Sequence, residues 1–566
     1  MPLIKSLLVV LALALLNSGC GSSRPAVVAD AIYVGGPIVT VNDAQPNAEA
    51  LAVKDGKILA VGSRVEIEKA HKGKTTAIVD LAGKTLMPGF IDGHTHILAL
   101  GAQAVGANLL PAPDGKVDTI DALVTELQAF AKTPEVSRTG WIFGLGYDDS
   151  VLGRHPTKAD LDRVSTTVPV GVIHISGHFS AMNSVGLAKV GITAASKDPV
   201  GGTIRRLAGS SEPDGVLEEL AHYQAALPVI TPVTKANQDY FMERALEMVK
   251  SFGYTTVNEG RMMGGQAKDL EALAANGKLD IDVVGFADFV DTTEVGVWGQ
   301  EYKSRLRMAG IKIVLDGSPQ GRTAWRTTPY LLPPPGEKAD YRGSPNIPDT
   351  AIITAAIANA YDRNWQVKVH ANGDAAIDQL LEAVGKVSAE KGVRQGQVIL
   401  IHGQFIRSDQ IPKLKALGIF PSMFPMHTFY WGDWYKQIVG PEQAARISPM
   451  RSILNTGLHA TSHTDAPVAL PNLMQVVWAT VNRTSRSGTI IGPDERVTPY
   501  EAMKMITLWG AEQFGEQATK GSLEPGKLAD MVILSDNPLT IDPMKINKIV
   551  VLETIKEGKT VYKRRQ

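Results

Sequence analysis

The spacing of apolar and polar positions divides the chain into two β-rich ends and a long mixed middle. Between residues 31 and 62, short β-branched runs (Ala31-Ile-Tyr-Val, Ile38-Val-Thr-Val, Ala50-Leu-Ala-Val, Ile58-Leu-Ala-Val) are separated by Gly-Gly and Asp-Gly turns, which predicts a small antiparallel sheet. The other end repeats the pattern with Lys527-Leu-Ala-Asp-Met-Val-Ile-Leu, Lys548-Ile-Val-Val-Leu-Glu and Thr560-Val-Tyr. From about 88 to 515 the text changes. Fully apolar runs such as Val170-Gly-Val-Ile-His-Ile175, Ile311-Lys-Ile-Val-Leu315, Trp365-Gln-Val-Lys-Val-His370 and Gln397-Val-Ile-Leu-Ile-His402 alternate with helical patterns, for example over 238–252 and 350–364. Strands alternating with helices predict βαβ units and a parallel sheet. Over this length they predict an α/β fold, a (β/α)8 TIM-type barrel (88–515) with insertions, one of them around 105–230. The proline-rich stretch 332–336 reads as a loop inside that barrel.

The first residues do not fit either pattern. Lys5 precedes an apolar run over 7–16 and then Asn17-Ser-Gly-Cys20, the layout of an export signal, and the run is short of the ~20 residues that span a bilayer. Cys20, the single cysteine, resembles the acylated residue of bacterial lipoproteins, although Asn17 departs from the usual leucine. The expected layout is a signal peptide (1–19), a linker from a lipidated Cys20 (20–30), export and anchoring to a bacterial membrane facing the periplasm. One cysteine excludes an intramolecular disulfide. With 57 basic and 58 acidic residues the net charge is −1, which removes the electrostatic footprint of a nucleic-acid binder.

The chemistry concentrates at strand ends. In Met87-Pro-Gly-Phe-Ile-Asp-Gly-His94-Thr-His96, positions two apart on an extended chain share a side, so His94 and His96 present two imidazoles to one point, with Asp92 placed to orient a ring. His370 and His402 close two further apolar strands, where barrel active sites gather. In Thr461-Ser-His463-Thr-Asp465-Ala-Pro467, the carboxylate of Asp465 is suited both to bind a metal and to accept a proton from metal-activated water. His463, two residues away, is either a neighbour of the site or structural. The aromatic cluster Phe420, Phe424, Phe429, Tyr430, Trp431 and Trp434 is either core or, with 421–434 as a loop at the site's mouth, a lining for an apolar substrate group.

Together with Asp316-Gly-Ser-Pro, His370-Ala-Asn-Gly-Asp-Ala-Ala376, Ile401-His-Gly-Gln-Phe405 and Gly521-Ser-Leu-Glu-Pro-Gly-Lys-Leu-Ala-Asp530, these motifs resemble the amidohydrolase superfamily, in particular its amidohydrolase-3 group of metal-dependent hydrolases. The resemblance covers nearly the whole chain after the leader. It implies that the two β-rich ends (31–87 and 516–566) form one small composite β-sandwich beside the barrel. It also implies one or two divalent metal ions, zinc first, with His94 and His96 on the more buried metal and His370 and His402 on the second. Lys312 falls where the group can carry a carboxylated lysine bridging two metals. His178, in Ser176-Gly-His178-Phe, matches a segment that reaches the mouth, where it would bind a substrate carbonyl or oxyanion. Ser462-His463-Thr464-Asp465 departs from the group's Gly-Ser-Asp around the base. The expected function is hydrolysis of an amide or N-acyl bond in a small molecule. Ester or lactone hydrolysis on the same site is the alternative, as is a non-catalytic lipid-anchored metal- or solute-binding protein. Expected partners are the substrate, the membrane through Cys20 and, optionally, a second copy in a homodimer.

Overall fold

The structure is a computed structural model that describes residues 27–565 apart from 178, 200–201, 231–234, 293–297, 300 and 335. Cys20 and the leader, and His178, therefore lie outside the described residues. Eight parallel strands follow one another around a single sheet in chain order: β1 (Phe90–Ile91), β2 (Tyr254–Met262), β3 (Asp282–Asp288), β4 (Leu306–Val314), β5 (Gln366–Ala371), β6 (Val398–His402), β7 (Phe420–Met423) and β8 (Thr461–Ser462). The chain just past the two edge strands joins them. The Asp465 N–H donates to the His94 carbonyl (3.0 Å) and the His96 N–H to the Ala466 carbonyl (2.9 Å), so the sheet curls round on itself as a TIM-type α/β barrel.

Both faces of these strands are covered, which is why they read as continuous apolar runs. Between β4 and β5, the helix Thr350–Asp362 buries Ile353, Ile357, Ala360 and Tyr361, the i, i+4, i+7, i+8 stripe of a helix lying on a sheet. Between β5 and β6, the helix Asp374–Lys391 buries an apolar face of the same kind.

One apolar run counted among the alternating strands lies within the stretch read as an insertion, around 105–230. Val170–His174 belongs to a separate six-stranded sheet, Gly202–Arg206, Pro213–Glu219, Phe179–Met182, Val170–His174, Ile142–Tyr147, Ala107–Asn108 in spatial order, built from chain inserted between β1 and β2. Val170–His174 pairs in parallel with one neighbour and is buried throughout, so its sequence carries no mark that separates it from a barrel strand. The chain ends meet in another sheet, where Thr85–Pro88 runs antiparallel to Met531–Leu534. Leu86, Met531 and Ile533 of that sheet share an apolar cluster with Tyr33, Leu51 and Val53 of a four-stranded N-terminal sheet. Among the described residues no helix is long and apolar enough to cross a membrane.

Candidate metal centre

Four strands bring the candidate ligands together at one end of the barrel. His94 and His96 follow β1, Lys312 points inward from β4, His402 ends β6 and Asp465 follows β8. The Nε2 atoms of His94 and His96 each lie 3.5 Å from Asp465 Oδ1, and Nε2 of His402 lies 3.8 Å from Oδ2. Such separations are long for hydrogen bonds. They are close to the ~3.4 Å edge of a tetrahedron whose ligands stand about 2.0–2.1 Å from a central ion. Burial holds His94 and His402 well below the ordinary histidine pKa, so both are neutral and offer lone pairs. Donor types and spacing therefore fit a divalent cation, as does the unprotonated state of His94 and His402. Two of these residues, His402 (φ 74°) and Asp465 (φ 51°), hold left-handed backbone conformations that cost non-glycine residues of order 1–3 kcal/mol and cluster at functional sites.

Lys312 is 2% exposed and its Nζ lies 2.9 Å from Nε2 of His94. Burial pushes its amine down to about 7, so near neutrality a large fraction is uncharged. His370 sits beside the group, its ring centroid 4.6 Å from that of His402, with Nε2 facing the Gly317 carbonyl at 3.2 Å. A metal bond from His370 would therefore run through Nδ1.

The support beneath the ligands differs from expectation in two respects. Asp92 does not touch a ring. Its Oδ1 accepts from the His94 and Thr464 backbone N–H groups and its Oδ2 from the Tyr254 hydroxyl at 2.8 Å, because a residue two before His94 on a tightly turning chain faces the backbone rather than the imidazole. The carboxylate that orients a ring is Glu259 on β2, with Oε1 3.3 Å from His96 Nδ1 and Oε2 accepting from Leu98 N at 2.9 Å. Nothing in the sequence ties Glu259 to His96, 163 positions away. Lys368 is the other residue missed. It is fully buried and donates to the Gly93 carbonyl (3.0 Å) and to Asn258 Oδ1 (2.9 Å), which in turn accepts from Thr95 N. Its place in alternating Gln-Val-Lys-Val-His, two before His370, was the available signal.

The aromatic stretch is not a loop. Met426–Ile438 is a helix in which Phe429, Tyr430, Trp431 and Tyr435 are buried, so these rings pack the barrel wall, and Trp434 stays partly open with the Arg322 guanidinium 5.6 Å from its ring. The inserted sheet carries a second cluster, Asp148, Asp149 and His174. Here Ser176 N donates to His174 Nδ1 (3.1 Å), which leaves the proton on Nε2, pointed at Asp149 Oδ1 (2.9 Å), while Arg486 holds Asp148 (3.0 Å). Its nitrogen is occupied and its charge is paired.

Known proteins resemble this chain over most of its length. The chain is 29% identical over 562 residues to Protein LONG AFTER FAR-RED 3 of Arabidopsis thaliana, covering 95% of this chain and 92% of that one. It is 26% identical over 560 residues to the N-substituted formamide deformylase of Arthrobacter pascens, covering 94% and 98%. The fold matches an uncharacterized metal-dependent hydrolase from Pyrococcus horikoshii with a TM-score of 0.72 at 24% identity, over 91% of this chain and 99% of that one. The Amidohydrolase family model matches residues 77–562, and the chain belongs to that family of hydrolases.

Proposed function

We propose that the protein hydrolyses the C–N bond of a small amide or N-acyl substrate, with Asp465 as the proton carrier in a metal site held by His94, His96, His402, His370 and a carboxylated Lys312. The observation that carries the reading is the convergence of three imidazole nitrogens on one carboxylate, each 3.5–3.8 Å from one of its oxygens. A bound divalent ion, zinc first, would supply Lewis acidity to the scissile carbonyl and acidity to water. The protein's own residues do the rest. Asp465 Oδ2, the carboxylate atom nearer His402, takes the proton of the attacking water and returns it to the leaving nitrogen, so that amide plus water gives acid plus amine. Glu259 holds His96 in place, and burial keeps His94 and His402 unprotonated. His178 would bind the carbonyl oxygen at the mouth. The relative named as an N-substituted formamide deformylase supports an N-acyl substrate over an ester. The leader and Cys20 would anchor the protein to a membrane on the exported side.

A panel of N-formyl and N-acyl amines, lactams and aryl esters, assayed with metal-free and zinc-reconstituted protein, tests the reading. Zinc-dependent release of amine is expected. Turnover confined to esters, or equal turnover without metal, would overturn it.

A further inference from the structure

We propose that Gln513, Thr461, Ser422 and His463 form a chain of ordered hydrogen bonds that decides which nitrogen of His402 is left bare, and so act as positioning residues for that ligand. The inference rests on reading His402 as a metal ligand.

The order follows from counting protons, beginning at a group with no choice. The Gly93 carbonyl accepts only, and Gln513 Nε2 donates to it at 2.7 Å, while Lys368 Nζ occupies its other side at 3.0 Å. This pins the Gln513 amide, because the flipped amide would set two carbonyl oxygens 2.7 Å apart. Gln513 Oε1 is then an acceptor, and the Thr461 hydroxyl 2.5 Å away must donate its single proton to it. The 2.8 Å contact with Ser422 is also placed for Thr461 to donate, but its single proton is committed to the closer Gln513 Oε1, so the serine must supply the proton between the two hydroxyls. Ser422 has thereby spent its proton, and the 3.0 Å contact with His463 requires Nδ1–H of His463 to donate to Ser422 Oγ. His463 Nε2 is therefore bare and accepts, at 3.1 Å, from His402 Nδ1–H. A neutral His402 with its proton on Nδ1 has a bare Nε2, the nitrogen that faces Asp465.

Three features support the chain. Gln513, Thr461, Ser422 and His463 are buried, so solvent does not offer substitute donors. A Cβ on Gly93 would stand 2.5 Å from Thr461 Oγ1 and 2.7 Å from Ser422 Oγ, so the glycine before His94 makes the room that these hydroxyls fill. Phe424, stacked on the His463 ring at 5.5 Å and 7°, holds the ring plane.

The test uses the full chain labelled with ¹⁵N-histidine and stripped of metal, with the His402 resonances assigned by their loss in His402→Gln. In the wild-type protein, long-range ¹⁵N–¹H spectra are expected to show His402 protonated at Nδ1. Thr461→Val keeps the shape and removes the hydroxyl. Ser422 is then free to donate to His463, and the His402 proton moves to Nε2. Zinc affinity, measured by competition with a chromophoric chelator, should fall about 10- to 100-fold. Thr461→Ser should restore both readouts. If Thr461→Val does not fold by circular dichroism, Ser422→Ala breaks the same chain one link later and should likewise abolish the Nδ1 preference. Protonation of wild-type His402 at Nε2, or an unchanged tautomer and zinc affinity in the folded variant, would overturn the proposal. Wild-type Nδ1 protonation without any zinc binding would support the chain and overturn the metal-site reading on which it rests.

Discussion

Gly260 stands at the end of β2 directly against the first metal-site histidine. A Cβ there would lie 2.3 Å from His94 Cε1, 2.7 Å from its Nδ1 and 3.0 Å from the Thr95 carbonyl oxygen, whereas ordinary contact begins at 3.4 Å. Gly260→Ala therefore requires the ring to retreat by 3.4 − 2.3 = 1.1 Å. Gly260 is not among the residues with a left-handed backbone, so the cost is steric. The ring has nowhere to go, being fully buried with the rings of His96, His463 and His402 at 4.9, 5.5 and 5.8 Å. Overpacking of this kind costs about 1–3 kcal/mol of stability. A misplacement of about 1 Å at a reacting centre costs roughly 10²-fold in rate. Elemental analysis and kcat/KM on the best substrate measure the outcome: lower metal occupancy, turnover down about 10²-fold, and a folded protein. Gly385→Ala, in the helix Asp374–Lys391 with nothing within 4 Å of its Cβ, is the control and should be neutral or stabilising by about 0.5–1 kcal/mol. Wild-type metal content and turnover in Gly260→Ala would refute the placement of His94 at the centre.

Lys312→Ala is expected to lose about one metal per chain and most activity. A small carboxylic acid should partly restore both, and unchanged metal content with no response to acid would make Lys312 a bystander. Because burial brings the Lys312 amine to about 7 and only the neutral amine captures CO2, rebuilding of metal-free protein in zinc at a fixed concentration of dissolved CO2 should accelerate as pH rises from 6 to 8 and then level off. A rate that is flat or falls over that range contradicts carboxylation. Cys20→Ser should move the protein from the membrane to the soluble fraction, or leave it as an uncleaved precursor. Identical fractionation of wild-type and variant protein in a soluble form would remove the anchor.

Much of the barrel was legible because its strands are buried on both faces and end in histidines. His94, His96, His402 and Asp465 stand out as polar residues at the close of apolar runs, and the structure brings them to one point. Val170–His174 reads like a barrel strand for the same reason, since burial gives identical text in the barrel and in the inserted sheet. The supporting residues were not legible. Glu259 and Gln513 act across 163 and 420 positions, and only the closure of the barrel sets them against His96 and Gly93. The aromatic stretch was read by its position after a strand, but its buried rings at 429, 430 and 431 follow helical packing.

The most direct test of the account is Asp465→Asn, with bound metal and turnover measured on the same sample. Amide and carboxylate have nearly the same shape, but only the carboxylate accepts water's proton, and general base catalysis is worth roughly 10²- to 10⁴-fold. A variant that folds, keeps most of its metal and loses turnover by that factor is the expected result. Near wild-type turnover at normal metal content would contradict the role of Asp465 and with it the proposed hydrolytic centre.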